Sequence, residues 1–360
     1  MDPIKVLIVD DSAMMRKAIK RIMETDSGIA VVGVARDGED ALRKDTELRP
    51  DVVTMDINMP IMDGITCMLY LFEQHPEVQV IMVSSLTQEG AMTTFEALEL
   101  GAFDYVAKPS GTVSTNLHIV GKELIAKIKA SVTRRKRKPS AFSKAQSTKS
   151  AKKETVRQVA ATNMQQGTQK VVVIGVSTGG PGTLMDILPF IPPDLDAAIV
   201  VVQHMPPMFT ASFAKRLDQN CQIPFKEAEQ GDILRKGQGM VAPGGIHLTV
   251  RKNISHGEYI VRLTTLPEKT LFTPSVDVTM HSILENFGRR TVGVLLTGMG
   301  SDGADAMVSI RKAGGITIAE AESTAVVFGM PREAIERGGA EIVAPAYNIA
   351  KEIIKAVNRI

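Results

Sequence analysis

A serine at the end of an apolar run is the most chemically suggestive residue in this 360-residue chain. The run Val171–Ile174 is β-branched throughout, which is typical of a strand buried on both faces, and Ser177 follows it in the sequence GVSTGG. A helix is predicted over Pro181–Phe190, so Ser177 would lie between a strand end and a helix start, where open α/β sheets bind ligands. Gly175-x-Ser177-x-Gly179 also matches the nucleophile elbow of α/β-hydrolases. A tight phosphate-binding turn would use the same residues, so a nucleophilic serine is a hypothesis that requires a base.

Two further polar residues follow buried strands of the same kind. Of the six histidines, His204 alone directly follows an apolar parallel-type strand, in the sequence AAIVVVQH. Asp302 lies just beyond a second apolar run, in TVGVLLTGMGSDG. Because the carboxyl ends of parallel strands meet at one sheet edge, Ser177, His204 and Asp302 can converge as nucleophile, base and orienting acid. Glycines leave backbone N–H groups accessible at this edge, and the residues predicted to line an oxyanion hole and groove are Thr178, Met299 and Gly300.

Each of these residues also has a simpler interpretation. His204 could be a histidine satisfied at a strand end, and Asp302 could be the N-cap of a helix predicted over Gly303–Ala313. The order along the chain is Ser, His, Asp, whereas α/β-hydrolases run Ser, acid, His, and no histidine follows Asp302. The match to the nucleophile elbow therefore indicates a similar strand–turn–helix geometry on a different fold.

Carboxylates at strand ends form a second candidate site, in the first 130 residues. Asp10 and Asp11 follow the first predicted strand, and Asp56 follows the third. Three carboxylates at one edge repel one another unless a hard cation shares them, and Mg²⁺ prefers such oxygen ligands. Ser84 after the fourth strand and Lys108 after the fifth supply a hydroxyl and an ammonium group. This combination is suited to accepting a phosphoryl group, although acidic strand ends can also be merely solvated.

Strand and helix patterns alternate in two separate parts of the chain. Five βα units over residues 1–130, the last helix being Leu117–Ser131, predict a small doubly wound parallel sheet. Residues 168–360 predict a second doubly wound, mostly parallel α/β domain, with the runs that end at Val202 and Leu296 as central strands. Short strands and turn signals over Gly237–Leu263 indicate an antiparallel excursion that interrupts this second sheet.

Between these domains, residues 131–167 are basic, rich in Ser, Thr and Gln, and poor in large apolar residues. Such a composition cannot offset the entropy cost of ordering the chain, so we predict a flexible linker. A basic run could attract nucleic acid, but Phe142 is its only aromatic residue, and no nucleic-acid partner is predicted.

The composition is that of an ordinary globular protein, with 44% hydrophobic residues, 23% charged residues and a formal net charge of +2. No apolar run approaches the ~20 residues of a membrane span, and the start, MDPIKVLIVDDS, lacks the basic and apolar regions of a signal peptide. We therefore expect a cytoplasmic protein without direct membrane insertion. Cys67 and Cys221 lie far apart, with no CxxC or Cys/His cluster, which argues against a disulfide framework or structural zinc.

Residues 3–127 resemble the receiver domain of two-component response regulators, because Asp-Asp, Asp and Lys-Pro each follow their own strand at the spacing of that family. The resemblance implies that Asp56 is the phosphoacceptor. The Mg²⁺ ligands that it implies are Asp10, Asp11, Asp56 and the carbonyl of Asn58. The switch residues that it implies are Ser84, Tyr105 and Lys108.

Together with this receiver, the rest of the chain resembles the CheB family of chemotaxis methylesterases. The motifs that carry the resemblance are GVSTGG, QHMPPMFTASFAKRL, APGGIH, PSVDV, LLTGMGSDGA and VVFGMPREAI. It implies a serine hydrolase, without a cofactor for hydrolysis, that removes glutamate methyl esters and certain glutamine amides from methyl-accepting chemoreceptors. It assigns the nucleophile, base and orienting acid to Ser177, His204 and Asp302. It also implies that a chemotaxis histidine kinase phosphorylates the receiver, which otherwise covers the active-site groove.

One residue departs from the family pattern. Thr273 stands before PSVDV, where such proteins often have a basic residue, so affinity or receptor choice could differ. An alternative from another class is a non-catalytic response regulator that docks on receptors or on a kinase. Binding alone requires neither a base nor an orienting acid, which argues against that alternative.

Overall fold

The structure is a computed structural model that describes residues 2–85, 87–108, 114–136, 168–253 and 255–360. The chain divides into two compact units, Met1–Gln146 and Ser147–Ile360. Each unit has its own parallel sheet. Most of the predicted linker, residues 137–167, lies outside the described residues.

The N-terminal unit is built on a five-stranded sheet in the order β2-β1-β3-β4-β5, with every pairing parallel. Its strands are β1 (Ile4–Val9), β2 (Ile29–Ala35), β3 (Val52–Asp56), β4 (Gln79–Ser84) and β5 (Asp104–Ala107). Its helices are α1 (Ala13–Met23), α2 (Gly38–Leu48), α3 (Gly64–Gln74), α4 (Gln88–Glu99) and α5 (Ser114–Lys136). The predicted succession of five βα units is confirmed.

The first four helices each begin at a side chain that accepts a hydrogen bond from a backbone N–H three residues further on. These caps are Ser12, Asp37, Asp63 and Thr87. A cap of this kind satisfies a backbone donor that the helix itself leaves unpaired. The caps therefore set where each helix begins after its strand.

Helix α5 is longer than predicted. It continues to Lys136, so the predicted helix end at Ser131 and the predicted domain boundary at residue 130 both fall inside it. The Thr133 hydroxyl donates to Lys129 O at 2.9 Å, one turn earlier. Arg and Lys are good helix formers, so a basic composition did not mark the end of the helix.

The strands of the C-terminal unit are β6 (Val171–Val176), β7 (Ala198–Gln203), β8 (Phe225–Glu227), β9 (Gly239–Val241), β10 (His247–Asn253), β11 (Glu258–Thr264), β12 (Thr291–Leu295), β13 (Ile316–Glu320) and β14 (Ile342–Ala344). Its α-helices are α6 (Gly180–Ile187), α7 (Pro207–Asn220), α8 (Val276–Phe287), α9 (Ala304–Lys312), α10 (Met330–Glu336) and α11 (Ala346–Arg359). Short 3₁₀ turns follow α6 at Leu188–Phe190 and α8 at Gly288–Arg290.

Seven of these strands form one sheet in the order β14-β13-β12-β6-β7-β9-β8, in which every pairing is parallel. Strands β6, β7 and β12 are adjacent and wholly buried, so the two runs predicted as central are central. The predicted antiparallel excursion is confirmed at β10 and β11, but it does not include β9 and lies outside the main sheet. Strand β9 joins the sheet in parallel, while β10 and β11 form a separate antiparallel hairpin. Strand β8 was not predicted, since its sequence FKE contains a single apolar residue.

The chain leaves β6 toward β7 on one side and later returns to β12 on the other, which makes a topological switch point at the carboxyl ends of these strands. Helix α8 packs close to this point, because a Cβ placed on Gly175 would lie 2.3 Å from Val276 Cγ1. The amino end of α8 therefore approaches the carboxyl end of β6. Among the described residues, no helix is both long and apolar enough to cross a bilayer.

Candidate active site and phosphoacceptor site

Ser177 lies in the turn between β6 and α6, where three backbone contacts hold it. Its N–H donates to Thr297 O (2.9 Å), and its carbonyl accepts from Gly180 N–H (2.8 Å) and Gln203 Nε2 (2.9 Å). Thr297 follows β12, and Gln203 ends β7. The two strands that flank β6 thus both fix the backbone of this half-buried serine.

His204 occupies the neighbouring position beyond β7. The register of β6 and β7 sets Val176 opposite Gln203, so Ser177 and His204 are the next pair along. His204 N–H donates to Val176 O at 3.2 Å, which continues the ladder. Paired residues of parallel strands project from the same face of a sheet, so the Ser177 hydroxyl and the His204 imidazole lie on the same face.

The carboxylate of Asp302 accepts four hydrogen bonds. Oδ2 accepts from His204 Nε2 (2.9 Å) and Val276 N–H (2.7 Å), and Oδ1 accepts from Ser275 Oγ (2.9 Å) and Asp277 N–H (3.0 Å). Burial acts to raise the pKa of Asp302, but its hydrogen bond and charge interaction with His204, and the N–H groups of α8, hold that pKa below its usual value. Asp302 is therefore an ionised acceptor that faces the imidazole.

This bonding decides the tautomer of His204. An ionised carboxylate only accepts hydrogen bonds, so Nε2 carries a proton, and in the neutral ring Nδ1 then carries the lone pair. Nδ1 is buried and has no hydrogen-bond partner among the described residues. Phe272 stacks on the ring, with centroids 4.0 Å apart and planes inclined by 13°. The imidazole is thus bonded to its acid, while no hydrogen bond joins it to Ser177 in the described part of the chain.

Asp302 is not the N-cap of the helix that follows it, so the simpler interpretation of this residue is wrong. Helix α9 begins after Gly303 without a side-chain cap, and the Asp302 carboxylate instead receives the first N–H groups of α8. Reciprocally, the Asp277 carboxylate in the first turn of α8 accepts a hydrogen bond from Ala306 N–H of α9 at 2.9 Å. The two helix starts are therefore cross-capped, which holds Asp302 between them.

The candidate oxyanion residues lie in two loops that are tied together. The Thr297 hydroxyl donates to Thr178 O at 2.8 Å, and Gly298 N–H donates to Val327 O at 3.1 Å. Thr178 is buried, Met299 is partly exposed, and Gly300 has a φ of +88°, which favours glycine. Among the described residues, the backbone N–H groups of these three donate to no protein acceptor. They are thus available to a developing negative charge.

Two buried residues beneath the site escaped the sequence analysis. Gln203 Nε2 donates to the carbonyls of both Ser177 (2.9 Å) and His204 (3.2 Å), so one amide links the two backbones. Glu320 Oε2 accepts Thr297 N–H at 2.8 Å, and burial raises the pKa of this carboxyl to about 7. Glu320 ends the apolar run ITIAE, which is the strand-end signal that singled out His204. Applied to every strand, that signal would have found Glu320.

A groove of about 270 Å³ opens beside Asp302. It is lined by Thr270, Leu271, Phe272, Ser275, Asp277, Val278, Ser301 and Asp302. Leu271 is 86% exposed on its rim. The segment between β11 and α8 thus supplies both the stacking partner of His204 and much of the wall next to it.

In the N-terminal unit, the three predicted carboxylates come together. One oxygen from each of Asp10, Asp11 and Asp56 lies within 4.8 Å of the other two. Lys108 Nζ lies 2.7 Å from Asp56 Oδ2 and 3.0 Å from Asp10 Oδ2, the latter an ion pair without hydrogen-bond geometry. Burial, with the charges of Asp10 and Asp11, raises the pKa of Asp56, and Lys108 opposes that rise.

Oxygen donors of this kind fit a hard divalent cation. Among the described residues, the buried Asp10 Oδ2 has no hydrogen-bond donor, and the three carboxylates outnumber the single ammonium group that pairs with them, that of Lys108. Asn58, two residues beyond Asp56, is exposed. A role for its carbonyl as a ligand stays a prediction.

The predicted switch residues are all in this unit. Ser84 is buried at the end of β4, and its hydroxyl donates to Gly90 O at 3.2 Å. Tyr105 is buried on β5, edge-on to Phe95 with ring centroids 6.4 Å apart. Strands β4 and β5 are neighbours, so Ser84 and Lys108 lie at one edge. A conformational response of these residues to phosphorylation stays a prediction.

Comparison with known proteins identifies the family of each unit. The family model "CheB methylesterase" matches residues 172–353, and "Response regulator receiver domain" matches residues 6–117. A protein-glutamate methylesterase/protein-glutamine glutaminase of Caldanaerobacter subterraneus is 52% identical over 99% of this chain and 97% of its own length. A relative of the same name from Syntrophomonas wolfei is 53% identical over 99% of this chain and all of its own length.

The CheB methylesterase catalytic domain of Thermotoga maritima is a solved structure that resembles the C-terminal unit. It is 43% identical, with a TM-score of 0.50, and the match covers 53% of this chain and 98% of that one. From these matches over nearly the whole sequence, this chain belongs to the CheB methylesterase family, with a response regulator receiver domain at its N-terminal end.

Proposed function

We propose that this protein is a phosphorylation-regulated protein-glutamate methylesterase that acts on methyl-accepting chemoreceptors and also deamidates certain receptor glutamines. The observation that carries the proposal is the Asp302 carboxylate, held ionised by four hydrogen bonds, one of them from the base candidate next in register to Ser177. A domain that only docked on a partner would need none of these contacts. The names of the full-length relatives supply the substrate class.

The proposed chemistry is acyl transfer through the serine. Ser177 Oγ attacks the ester carbonyl carbon while its proton passes to Nδ1 of His204. The carbonyl oxygen becomes an oxyanion that accepts from the free N–H groups of Thr178 and Met299. When the C–O bond breaks, the methoxide takes the proton from the imidazolium and leaves as methanol.

Water then completes the cycle. His204 removes a proton from a water molecule, which attacks the acyl-enzyme carbonyl, and the glutamate carboxylate leaves as Ser177 regains its proton. Throughout, Asp302 accepts from Nε2–H and so stabilises the imidazolium form. Glutamine deamidation follows the same path, with ammonia as the leaving group, and depends more strongly on proton donation by the imidazolium because an amide is a poorer leaving group.

Regulation is proposed to begin at Asp56. The carboxylates of Asp10, Asp11 and Asp56, with the carbonyl of Asn58, would hold Mg²⁺, which when bound neutralises charge on the incoming phosphate. Asp56 would take the phosphoryl group from a chemotaxis histidine kinase. Lys108 would then pair with the phosphate, and Ser84 and Tyr105 would rearrange. The unphosphorylated receiver restrains catalysis in this proposal, through a linker within residues 131–167 that joins domains 1–130 and 168–360.

The remaining assignments are part of the same proposal. Hydrolysis uses no cofactor, the site of action is the cytoplasm, and neither nucleic acid nor direct membrane insertion is involved. The absence of a cofactor from the proposed chemistry rests on the chain's own nucleophile, base and N–H donors.

Methanol release from membranes that carry methylated chemoreceptors tests the proposal. The full chain should release methanol, more quickly with acetyl phosphate and Mg²⁺, and Ser177→Ala should abolish the release. Ser309→Ala is the matched control, because the Ser309 hydroxyl lies on α9 and donates to Asp305 O, one turn earlier in the same helix. Receptor binding without methanol release would instead support the non-catalytic docking protein.

A further inference from the structure

His247, at the start of β10, is a buried histidine that the proposed mechanism does not use. Only 1% of the residue is exposed. Its Nδ1 lies 3.1 Å from Ser275 N and its Nε2 lies 3.3 Å from Thr270 Oγ1. A backbone N–H can only donate, so Nδ1 must carry a lone pair, and the Nε2 proton faces Thr270 and the carbonyl of Pro267. The geometry therefore requires a neutral imidazole in the Nε2–H form.

The two contacts of His247 lie at the two ends of one short segment, residues 270–275. Phe272 within it stacks on His204 at 4.0 Å, and Ser275 at its end donates through Oγ to Asp302 Oδ1 at 2.9 Å. The next N–H group, from Val276, binds Asp302 Oδ2. His247 thus holds, at both ends, the segment that touches the candidate base and the candidate orienting acid.

We propose that His247, as the neutral Nε2–H tautomer, is a positioning residue that holds segment 270–275 against His204 and Asp302, and that protonation of Nδ1 releases this segment. The inference deepens the proposed function and rests on it. A protonated Nδ1 would face the Ser275 N–H as donor against donor, and the start of α8 would have to move. Asp302, which α8 holds by its first N–H groups, would move with it.

The surroundings of His247 favour the neutral form. Burial lowers the pKa of His247, while the Pro267 carbonyl and the negative charge of Asp302 act in the opposite direction. Among the described residues, Asp302 is the charged group that acts on this imidazole, and its other neighbours, Thr270 and Ser275, are uncharged. Site geometry should therefore be maintained at neutral pH and lost in acid.

Three substitutions at this position separate positioning from mere packing. In His247→Asn the side-chain oxygen replaces Nδ1 and can accept from Ser275 N–H at any pH, whereas His247→Gln reaches the Nε2 position and His247→Leu accepts nothing. We expect kcat for methanol release by the full chain at pH 8 to stay within about threefold of wild type in the Asn variant. In the Gln and Leu variants it should fall roughly tenfold to a hundredfold with little change in KM, since a small misplacement of catalytic groups costs that much.

The pH profile supplies the second readout. In a plot of kcat/KM against pH, the wild type should fall more steeply at low pH than protonation of His204 alone would produce, because His247 is protonated as well. His247→Asn should remove this extra steepness. Equal kcat in the Leu and wild-type enzymes, or equal losses in the Asn and Leu variants that retain the wild-type melting temperature, would overturn the inference.

Nitrogen NMR of the ¹⁵N-histidine-labelled full chain tests the tautomer without any assay of turnover. The signal pair that disappears in His247→Asn should have a lone-pair shift for Nδ1 and a protonated shift for Nε2 at pH 7. A doubly protonated ring at that pH would contradict the inference even in an active enzyme. If the wild type released no methanol, the proposed function would fail, and the spectrum would still decide the state of His247.

Discussion

Asp56, the last residue of β3, and Asp302, in the loop after β12, both lie at the carboxyl edge of a parallel sheet, yet their pKa values move in opposite directions. Burial raises the pKa of Asp56, the charges of Asp10 and Asp11 add to that rise, and Lys108 opposes it. Burial also acts to raise the pKa of Asp302, but His204 and two backbone N–H groups of α8 outweigh it. Two aspartates at the carboxyl edges of similar sheets therefore differ in acid strength.

The difference lies in the donors. Asp302 faces the start of a helix, a serine hydroxyl and an imidazole, so the chain itself satisfies the carboxylate. At the Asp56 edge, three carboxylates face one ammonium group, and the excess negative charge can be relieved by a cation from solution. At the Asp302 edge, the chain itself supplies all the donors that position the base. At the Asp56 edge, the excess negative charge favours binding of a metal ion and then of phosphate.

The largest expected effect concerns the edge that carries Ser177, His204 and Asp302. Ser177→Ala and His204→Ala should each lower kcat for methanol release by ~10³-fold or more, because nucleophile and base act as one unit. Asp302→Ala should cost somewhat less, since the base remains without its orienting acid. Steady-state turnover on methylated receptor membranes measures this. A Ser177→Ala enzyme that kept a tenth of wild-type turnover would exclude the assignment.

Metal dependence is the next way to separate the two edges. Excess EDTA should abolish transfer of phosphate from acetyl phosphate to Asp56, since the cation screens the carboxylates from the incoming anion. Basal methanol release should be unchanged in EDTA, because the proposed hydrolysis uses only groups of the chain. Asp56→Asn should also block phosphorylation, and Asp11→Asn should weaken Mg²⁺ binding. Phosphate incorporation that persisted in EDTA or in Asp56→Asn protein would contradict the interpretation of this cluster.

Stability should respond with opposite signs at the two aspartates. A lowered pKa means that Asp302 contributes stability above the unfolded value of ~3.9, which is lost as the pH falls through its folded value. A raised pKa means that the stability cost of ionising Asp56 grows as the pH rises above the unfolded value of ~3.9 and is complete once the pH exceeds the folded value. At pH 7 in EDTA, Asp302→Asn should lower the free energy of unfolding by about 3 kcal/mol, and Asp56→Asn should raise it by about 1 kcal/mol.

Calorimetry of the full chain measures both changes, each in the transition of its own unit. Asp305→Asn is the control, because Asp305 is an exposed aspartate paired with Arg337. It should change stability by less than about 0.5 kcal/mol. If both variants changed the free energy of unfolding in the same direction, hydrogen-bond donors would not explain why the pKa values of Asp56 and Asp302 differ.

A buried carboxyl beneath the catalytic site, Glu320, extends the comparison, because burial raises its pKa as it raises that of Asp56. Burial raises the pKa of Glu320 to about 7, while the Thr297 N–H and Thr324 hydroxyl act against that rise. The cost of ionisation should therefore grow as the pH rises from ~4.3, the unfolded value, to about 7, and stay constant above it.

Glu320→Gln removes that cost, since the amide oxygen can accept Thr297 N–H and the amide nitrogen can donate to Thr324. The variant should be more stable than wild type by about 2 kcal/mol at pH 8 and by less at pH 5. Glu336→Gln, on the exposed face of α10, should show no such pH dependence. An equal gain at both pH values would mean that Glu320 does not titrate in this range.

Local sequence patterns were sufficient for much of the fold. Apolar β-branched runs such as Val171–Ile174 identified the buried strands, and the polar residues that follow such runs identified Ser177, His204 and Asp302. The pattern failed where elements are short or where composition misleads. Strand β8 has one apolar residue among its three, and the basic end of α5 resembled a linker although Arg and Lys support helices.

The sequence by itself determined which residues stand at the carboxyl ends of strands, because strand periodicity and strand ends are local properties of the chain. Only the tertiary structure decided which of those residues meet and which atoms they use. Contacts such as Asp302 with the start of α8, Gln203 with two carbonyls, and His247 with Ser275 depend on how distant segments pack. No local pattern encodes that packing, so the bonding of each carboxylate, and with it the pKa, could be known only from the fold.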